Sequence, residues 1–188
     1  MRVMVFSDGS AHSPIKDGGI PPSGIGGWCS VVAWETPEQV RTRVFVGSEC
    51  PTTITRCELT PIVRSLSWVR SWEYSSSLDI TCVSDSEFVV KTLAGQYKMP
   101  AKHEINGDLW SPAFDLIQGF RSPGRIRFIW RERNTHPAMS YCDNIAGLMY
   151  DGAKGLMARY ANAYAPEATS LNLNSELFEE FKEAPDVF

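Results

Sequence analysis

Four acidic residues stand where the sequence predicts that elements of structure begin or end. Asp8 ends an apolar, β-branched segment that is typical of a strand, and Asp85 ends a second one. Glu58 falls in the first turn of a predicted helix, and Asp143 falls at the start of another. Because the carboxyl ends of neighbouring parallel strands meet at one edge of a sheet, we expect Asp8 and Asp85 to lie side by side. Glu58 and Asp143 are predicted to reach the same place.

Four carboxylates in one place imply a particular chemistry. They repel one another unless a cation lies among them. Ligands that are all oxygens select Mg²⁺ or Mn²⁺, and the cysteines and histidines of this chain lack the spacing of zinc ligands. Two such ions about 3.5–4 Å apart can hold a phosphodiester, one activating a water molecule and the other stabilising the leaving oxygen. Taken singly, the acids also have ordinary explanations, since Asp commonly forms turns and Asp143 could cap its helix.

The spacing of apolar residues predicts the elements that must carry these acids. We expect strands at 2–11, 27–35, 40–47, 78–84 and 125–131. Helices are expected at 55–72, 87–93 (capped by Ser86), 108–120 and 142–160, with a loop at 137–140. This order predicts an α/β fold with a mixed five-stranded sheet, three strands antiparallel and two parallel, flanked by helices.

Charge divides the chain into two parts. Residues 1–160 hold 17 Lys and Arg against 16 Asp and Glu, whereas residues 161–188 hold one Lys against six acids. If metal ions neutralise four acids of the first part, its remaining charge is positive enough to tolerate a polyanion. We therefore predict a catalytic domain over 1–160 and an acidic C-terminal tail over 161–188, with one amphipathic patch at Leu177, Phe178 and Phe181.

The cysteines and the hydropathy indicate where the protein works. Five cysteines, widely spaced and without a CxxC pair, are typical of buried thiols in a reducing compartment. The first residues form too short an apolar run for a signal peptide, and no stretch is long enough for a membrane span. We expect a cytoplasmic protein without a membrane partner.

Six short stretches, in order, resemble the type 1 ribonuclease H family over about residues 3–158. They are Phe-Ser-Asp-Gly-Ser (6–10), Gly-Ile-Gly-Gly-Trp (24–28), Thr-Ile-Thr-Arg-Cys-Glu-Leu (53–59), Val-Ser-Asp-Ser-Glu-Phe-Val (83–89), Asn-Gly-Asp-Leu-Trp (106–110) and His-Pro…Cys-Asp-Asn-Ile-Ala (136–146). The resemblance implies that Asp8, Glu58, Asp85 and Asp143 are the metal-binding, catalytic carboxylates. It further implies Mg²⁺-dependent hydrolysis of the RNA strand of an RNA–DNA hybrid, leaving a 5′-phosphate and a 3′-hydroxyl.

The chain departs from the family pattern near the predicted site. Ile54 and Thr55 stand where the family usually has two Asn, and Arg133 stands where it has a mobile loop histidine. We predict that Arg133 contacts a phosphate and that His136 is an exposed loop residue, with His136 as the alternative for the catalytic loop role. The residues predicted to bind the substrate, which is recognised by its 2′-hydroxyls and groove shape, are Gly9, Ser10, Thr53, Thr55, Arg56 and Ser86.

Two other functions compete with this prediction. One is a nuclease of the same fold that acts on DNA structures, although the Asp-x-Glu of proofreading exonucleases is replaced by Asp8-Gly9-Ser10. The other is a non-catalytic module that binds nucleic acid, although such modules usually lose an acid. Residues 174–178 also resemble peptides that dock on bacterial sliding clamps, which suggests a replication protein as a partner of the tail.

Overall fold

The computed structural model describes residues 1–12, 24–101, 105–120, 125–155 and 176–181. A short 3₁₀ turn, Ser75–Ser77, precedes the fourth strand. The strands are β1 Arg2–His12, β2 Ile25–Glu35, β3 Val40–Glu49, β4 Asp79–Ser84 and β5 Arg125–Trp130. The helices are α1 Ile54–Arg70, α2 Glu87–Leu93, α3 Gly107–Phe120, α4 Pro137–Gly155 and α5 Glu176–Glu180.

The strands form one mixed sheet in the order β3-β2-β1-β4-β5. β1, β2 and β3 pair antiparallel, and β4 and β5 extend the sheet in parallel with β1. The predicted fold class is confirmed. In the parallel pair Ser7 lies opposite Ser84, so the residues that follow, Asp8 and Asp85, lie side by side where the pairing of β1 with β4 ends. Asp8 itself stays in the sheet, because β1 continues to His12 and Asp8 pairs with Cys29 of β2.

Both faces of the sheet are covered, because successive strand residues point to opposite sides. Val3 and Val5 of β1 join the core that contains residues of α1, α2 and α3. Met4 and Phe6 join the core formed with α4 and α5. The central strand is thereby buried on both faces, which fixes the position of Asp8.

The last long helix begins earlier than the sequence predicts. Residues 137–140, expected as a loop, form the first turn of α4. Pro137 occupies the first helical position, where a missing N–H costs nothing, and the His136 Nδ1 accepts a hydrogen bond from the Ala138 N–H at 3.1 Å. The prediction was wrong because it treated Pro137 as a breaker rather than as a helix start. Residues 156–160, predicted to continue this helix, lie outside the described residues.

Part of the expected tail belongs to the core. Leu177, Phe178 and Phe181 are buried at 5%, 3% and 1% exposure against the α4 face of the sheet. For residues 176–181 the expectation of a tail outside the core is therefore wrong, and residues 161–175 and 182–188 lie outside the described residues. Nothing supports docking on a replication protein, since Leu177 and Phe178 of the suggested motif are turned into the domain.

The cysteines and the helices bear on the remaining sequence predictions. All five cysteines are free thiols, and all but Cys50 are buried, as expected for small apolar side chains. Among the described residues, no helix combines the length and the apolarity needed to cross a lipid bilayer.

Gly9 lets α1 approach the end of β1. A Cβ atom at this position would lie 2.5 Å from the Cys57 carbonyl carbon and 2.6 Å from the Glu58 nitrogen, both of them backbone atoms that cannot rotate away. The absence of a side chain at Gly9 thus allows the helix residue Glu58 to come within reach of the strand residue Asp8.

We expect Gly9→Ala to lower the free energy of unfolding by about 1–3 kcal/mol, because the added methyl group overpacks the β1–α1 contact. Gly147→Ala is the matched control, since a Cβ there meets nothing within 4 Å. In a helix that change should stabilise by up to about 1 kcal/mol. Urea unfolding of both variants checks the pair, and equal stability of the Gly9 variant and wild type would contradict the close approach.

Candidate metal centre

Three acids meet where β4 ends and its pairing with β1 stops. Asp8, Glu58 and Asp85 each offer a carboxylate oxygen, and these oxygens lie within 4.8 Å of one another. Asp8 and Glu58 are almost fully buried, at 1% and 5% exposure, and the Asp85 side chain is 10% exposed. The predicted meeting of the strand-end acids with Glu58 of α1 is thus what the structure shows.

The cluster is electrostatically unfavourable on its own. Burial, followed by the nearby charge of Asp85, raises the pKa of Asp8 to about 7, and burial and Asp8 raise the pKa of Glu58 well above its usual range. Asp8 Oδ1 accepts a hydrogen bond from the Gly9 N–H at 2.7 Å. Asp8 Oδ2, Glu58 Oε2 and Asp85 Oδ1, all buried, have no hydrogen-bond partner among the described residues.

Arg133 places its guanidinium group over this cluster. Its Nε donates to Asp85 Oδ2 at 2.8 Å, and its Nη2 lies 3.9 Å from Asp8 Oδ1. The hydrogen bond to Asp85 and the surrounding carboxylates raise the pKa of Arg133, so its charge is permanent. The side chain is 53% exposed, so the guanidinium group can leave toward solvent without disturbing the core.

Asp143 joins the site through Arg133. Its Oδ1 lies 3.5 Å from the Arg133 Nη1, and its side chain is 30% exposed. It lies six residues after Pro137 in α4 rather than at the start of the helix as predicted. The helix brings it to the rim of the cluster, outside the three oxygens that lie within 4.8 Å of one another.

His136 is not the exposed loop residue that the sequence predicts. It is 9% exposed, and its ring stacks on Phe6 with the centroids 4.8 Å apart and the planes 3° from parallel. Its Nδ1 caps α4, so the ring is held on both sides and burial lowers its pKa. The signal in the sequence was His136-Pro137, a capping residue before a proline at the first helical position.

Two of the predicted substrate contacts are engaged inside the protein. Thr53 is 2% exposed and caps α1, its Oγ1 accepting from the Arg56 N–H at 3.1 Å and from the Asn106 Nδ2 at 2.9 Å. The Arg56 guanidinium donates to Glu49 Oε2 at 3.1 Å and to Asp108 Oδ1 at 2.9 Å. Any contact of Arg56 with a ligand has to compete with these two carboxylates.

The other four lie within three residues of Asp8, Glu58 or Asp85 along the chain. Gly9 is buried under α1, and Ser10 follows it on β1, half-buried and on the same side of the strand as Asp8. Thr55 lies three residues before Glu58 and is half-buried. Ser86, also half-buried, follows Asp85 and occupies the N-cap position of α2 as predicted, without a capping hydrogen bond from its side chain.

Trp130 is a neighbour of the site that the sequence did not reveal. It alternates with Ile126 and Phe128 and so shares their face of β5, but it is 46% exposed whereas they are buried. Its Nε1 donates to the Asp85 backbone oxygen at 3.0 Å, which ties the end of β5 to the end of β4. Alternation along a strand does not tell where the covering helices stop.

The donor set fits a hard divalent cation. All candidate ligand atoms are carboxylate oxygens, as Mg²⁺ and Mn²⁺ prefer, and three of them are buried without a hydrogen-bond donor. Asp8, Glu58 and Asp85 can serve as direct ligands, and Asp143 can complete the set from the rim. Without such an ion, Arg133 is the cation that partly neutralises them.

Solved structures share this architecture. The N-terminal RNase H domain of a Mycobacterium tuberculosis protein, solved fused to maltose-binding protein, matches with a TM-score of 0.62 at 23% identity, over 81% of this chain and 96% of that one. LC11-RNase H1, isolated from compost by a metagenomic approach and solved in complex with an RNA/DNA hybrid, matches with a TM-score of 0.60 at 17% identity, over 81% and 99%. The chain has the ribonuclease H fold.

RNase H1 from the halophilic archaeon Halobacterium salinarum has the same fold, with a TM-score of 0.56 at 19% identity over 81% of this chain and 100% of that one. No model of a protein family matches the sequence, and no curated protein matches it. At these identities the likeness establishes the ribonuclease H fold alone.

We expect Asp8→Asn to raise the melting temperature of the metal-free protein. The pKa of Asp8 lies near 4 in the unfolded chain and at about 7 in the folded one, so the ionised carboxylate destabilises the fold. This destabilisation is absent at a pH below the pKa that Asp8 has in the unfolded chain, and it is complete at a pH above the pKa that Asp8 has in the folded protein. The gain in melting temperature should therefore be larger at pH 8 than at pH 5.

Millimolar Mg²⁺, at constant ionic strength, should raise the melting temperature of wild type by mass action but leave that of Asp8→Asn nearly unchanged. Differential scanning calorimetry measures both effects. A destabilised Asp8→Asn protein, or an equal response of both proteins to Mg²⁺, would contradict the assignment of this cluster.

Proposed function

We propose that the chain is a divalent-metal-dependent endonuclease of the ribonuclease H type that hydrolyses the RNA strand of RNA–DNA hybrids. The products are a 5′-phosphate and a 3′-hydroxyl. The proposal rests on one observation above all: a buried cluster of three carboxylates, with unpartnered oxygens, in a ribonuclease H fold at the point where the pairing of β1 with β4 ends.

Asp8, Glu58, Asp85 and Asp143 would hold two Mg²⁺ ions, with Mn²⁺ as an alternative. When bound, such ions supply an activated water molecule and stabilise the leaving oxygen of a phosphodiester. Burial of Asp8 and Glu58 keeps competing water away from their oxygens and holds both side chains in place. Asp143, on the more exposed rim, would complete the ligand set from the solvent side.

In this proposal Arg133 acts at the position of the family's mobile loop histidine. Its guanidinium pairs with Asp85 and lies near Asp8, and its exposure permits it to swing outward. Once displaced, it lies at the rim with a permanent positive charge, suited to a phosphate but unable to accept a proton. His136 takes no such part, because its ring is stacked on Phe6 and caps α4.

An RNA–DNA hybrid is the proposed partner. LC11-RNase H1, which shares the fold, was solved with such a hybrid. A protein distinguishes RNA from DNA through the 2′-hydroxyl, which donates and accepts hydrogen bonds. Ser10, Thr55 and Ser86 are half-buried and lie within three residues of Asp8, Glu58 and Asp85 along the chain, so we propose that their hydroxyl groups read it. A catalytic domain ending near residue 160 and a cytoplasmic location remain predictions.

Cleavage of the RNA strand should require Asp85. We expect Asp85→Asn to reduce the rate roughly 100-fold or more, because one ligand is lost while the fold is kept. Asp151→Asn is the control, because Asp151 is an exposed acid of α4 that lies outside the cluster. The Asp151→Asn protein should cleave the hybrid at the wild-type rate. A labelled hybrid incubated at fixed Mg²⁺ gives both rates, and cleavage within tenfold of wild type would remove Asp85 from the site.

The choice of substrate is tested with the same protein on four labelled molecules: a hybrid, duplex DNA, duplex RNA and a four-way DNA junction. Cleavage of the hybrid alone, in its RNA strand, supports the proposal. Preferential cleavage of the junction or of duplex DNA would favour a nuclease of this fold that acts on DNA. Binding of the hybrid without cleavage at any Mg²⁺ or Mn²⁺ concentration would favour a non-catalytic module.

Replacing Arg133 should affect metal binding and turnover in opposite directions. Without the guanidinium, the acids repel one another and bind a divalent ion more tightly, so Arg133→Ala should gain more melting temperature from Mg²⁺ than wild type does. Turnover on the hybrid should fall roughly tenfold, because the phosphate contact is lost. Arg133→Lys keeps the charge and should lie between the two. Calorimetry and hybrid cleavage test this, and unchanged values in both would remove Arg133 from the site.

A further inference from the structure

Phe181, just after α5, touches elements that carry the acid cluster. It is 1% exposed and packs edge-on against Phe6 and against His136, with ring centroids 6.0 Å away in each case. The Arg131 guanidinium lies over its ring, 5.4 Å from the centroid. Three aromatic or cationic side chains from β1, from the loop after β5 and from the cap of α4 thus meet on a single residue of the C-terminal segment.

Each of these neighbours is linked to a residue of the site through a short stretch of the chain or through a helix. Phe6 precedes Asp8 by two residues on β1, and Arg131 precedes Arg133 by two in the loop. His136 caps the helix that carries Asp143. Between Arg133 and His136 the loop turns through Asn134, whose φ of 63° fixes a tight left-handed bend.

Two further contacts fasten the segment in place. The Phe181 carbonyl oxygen accepts a hydrogen bond from the Arg127 Nη1 at 3.4 Å, and the Nη2 of the same guanidinium donates to Asp79 at 2.9 Å. On the neighbouring turn, Glu180 Oε2 lies 3.9 Å from the His136 Nε2. The segment is therefore bound to β5 and to the cap of α4 by polar as well as apolar contacts.

We propose that Phe181 is a positioning residue for the acid cluster: it holds the loop of residues 131–136 and the start of α4, and so sets where Arg133 and Asp143 stand. This inference rests on the proposed metal site, and it adds that the C-terminal segment helps to position the residues of that site. Removing the ring frees Arg131 and one face of His136, and the loop that carries Arg133 loses its rigid support.

Phe178 of α5 provides a matched control in the same C-terminal segment. It is equally buried, at 3% exposure, but the cation over its ring is Arg2, 5.1 Å from the centroid. Arg2 stands at the first position of β1, paired with Glu35 at the end of β2, and its partner in the parallel register is Asp79. Phe178 thus lies toward the opposite end of the sheet from Asp8.

The experiment compares Phe181→Ala and Phe178→Ala in the full chain, with Mn²⁺ affinity measured by electron paramagnetic resonance and kcat and KM measured on the hybrid. All measurements are made at a temperature where every variant is folded. Both variants should melt earlier than wild type. Phe181→Ala should weaken Mn²⁺ binding and lower kcat by roughly tenfold each, as supporting residues of metal ligands do. Phe178→Ala should change neither by more than about twofold.

Equal losses in both variants, or no loss of Mn²⁺ affinity in Phe181→Ala, would overturn the positioning role and leave a purely structural one. If Phe181→Ala does not fold, the pair Phe181→Leu and Phe178→Leu, which keeps most of the apolar volume, decides the question with the same readouts. If wild type binds Mn²⁺ but cleaves no hybrid, the proposed function fails while the Mn²⁺ affinities still test the inference. If wild type binds no Mn²⁺, both fail.

Discussion

The burial of two mutually repelling carboxylates beside a third is the constraint on which the rest of this structure depends. Asp8 and Glu58 lie out of water, where an ionised acid is costly, and the pKa of each is raised as a result. A fold bears such a cost only if the elements carrying the acids cannot move apart. β1 supplies that rigidity, because it is the middle strand of the sheet and is buried on both faces.

The repulsion among the carboxylates is offset by a positive charge nearby, and the Arg133 guanidinium supplies it. Arg133 pairs with Asp85 and lies near Asp8 and Asp143, so its charge offsets part of the repulsion among the acids. The same guanidinium is half exposed and hangs from a loop, not from the sheet, so it can yield to a divalent ion. A lysine would offer one donor centre in place of a fork and would hold the three acids less well.

Local patterns in the sequence were enough to predict the sheet, α1 and the meeting of Asp8, Glu58 and Asp85. Alternating and helical periodicities reveal these elements, and an acid at a strand end marks the edge. Features that depend on tertiary contact were not predictable in this way. The start of α4 had a local signal in His136-Pro137, but the burial of His136 and the packing of Phe181 require knowing which surfaces meet. The amphipathic patch within 161–188 is visible in the sequence, but its fit to the α4 face is not.

The positions of these missed residues explain why they matter to the site. The buried acids of the cluster have to be held in place. Arg133, at the rim of the cluster, has to be able to move, because in the proposed function it gives way to a divalent ion. β1 and α1 fix Asp8 and Glu58 through the close approach at Gly9. The loop after β5 carries Arg133, and a loop without further support would not hold Arg133 near the acids. Phe6 and His136 stack behind that loop, and Phe181 packs edge-on against both rings. These contacts support the backbone of the loop, so the part of the rim that is left free to move is the exposed side chain of Arg133.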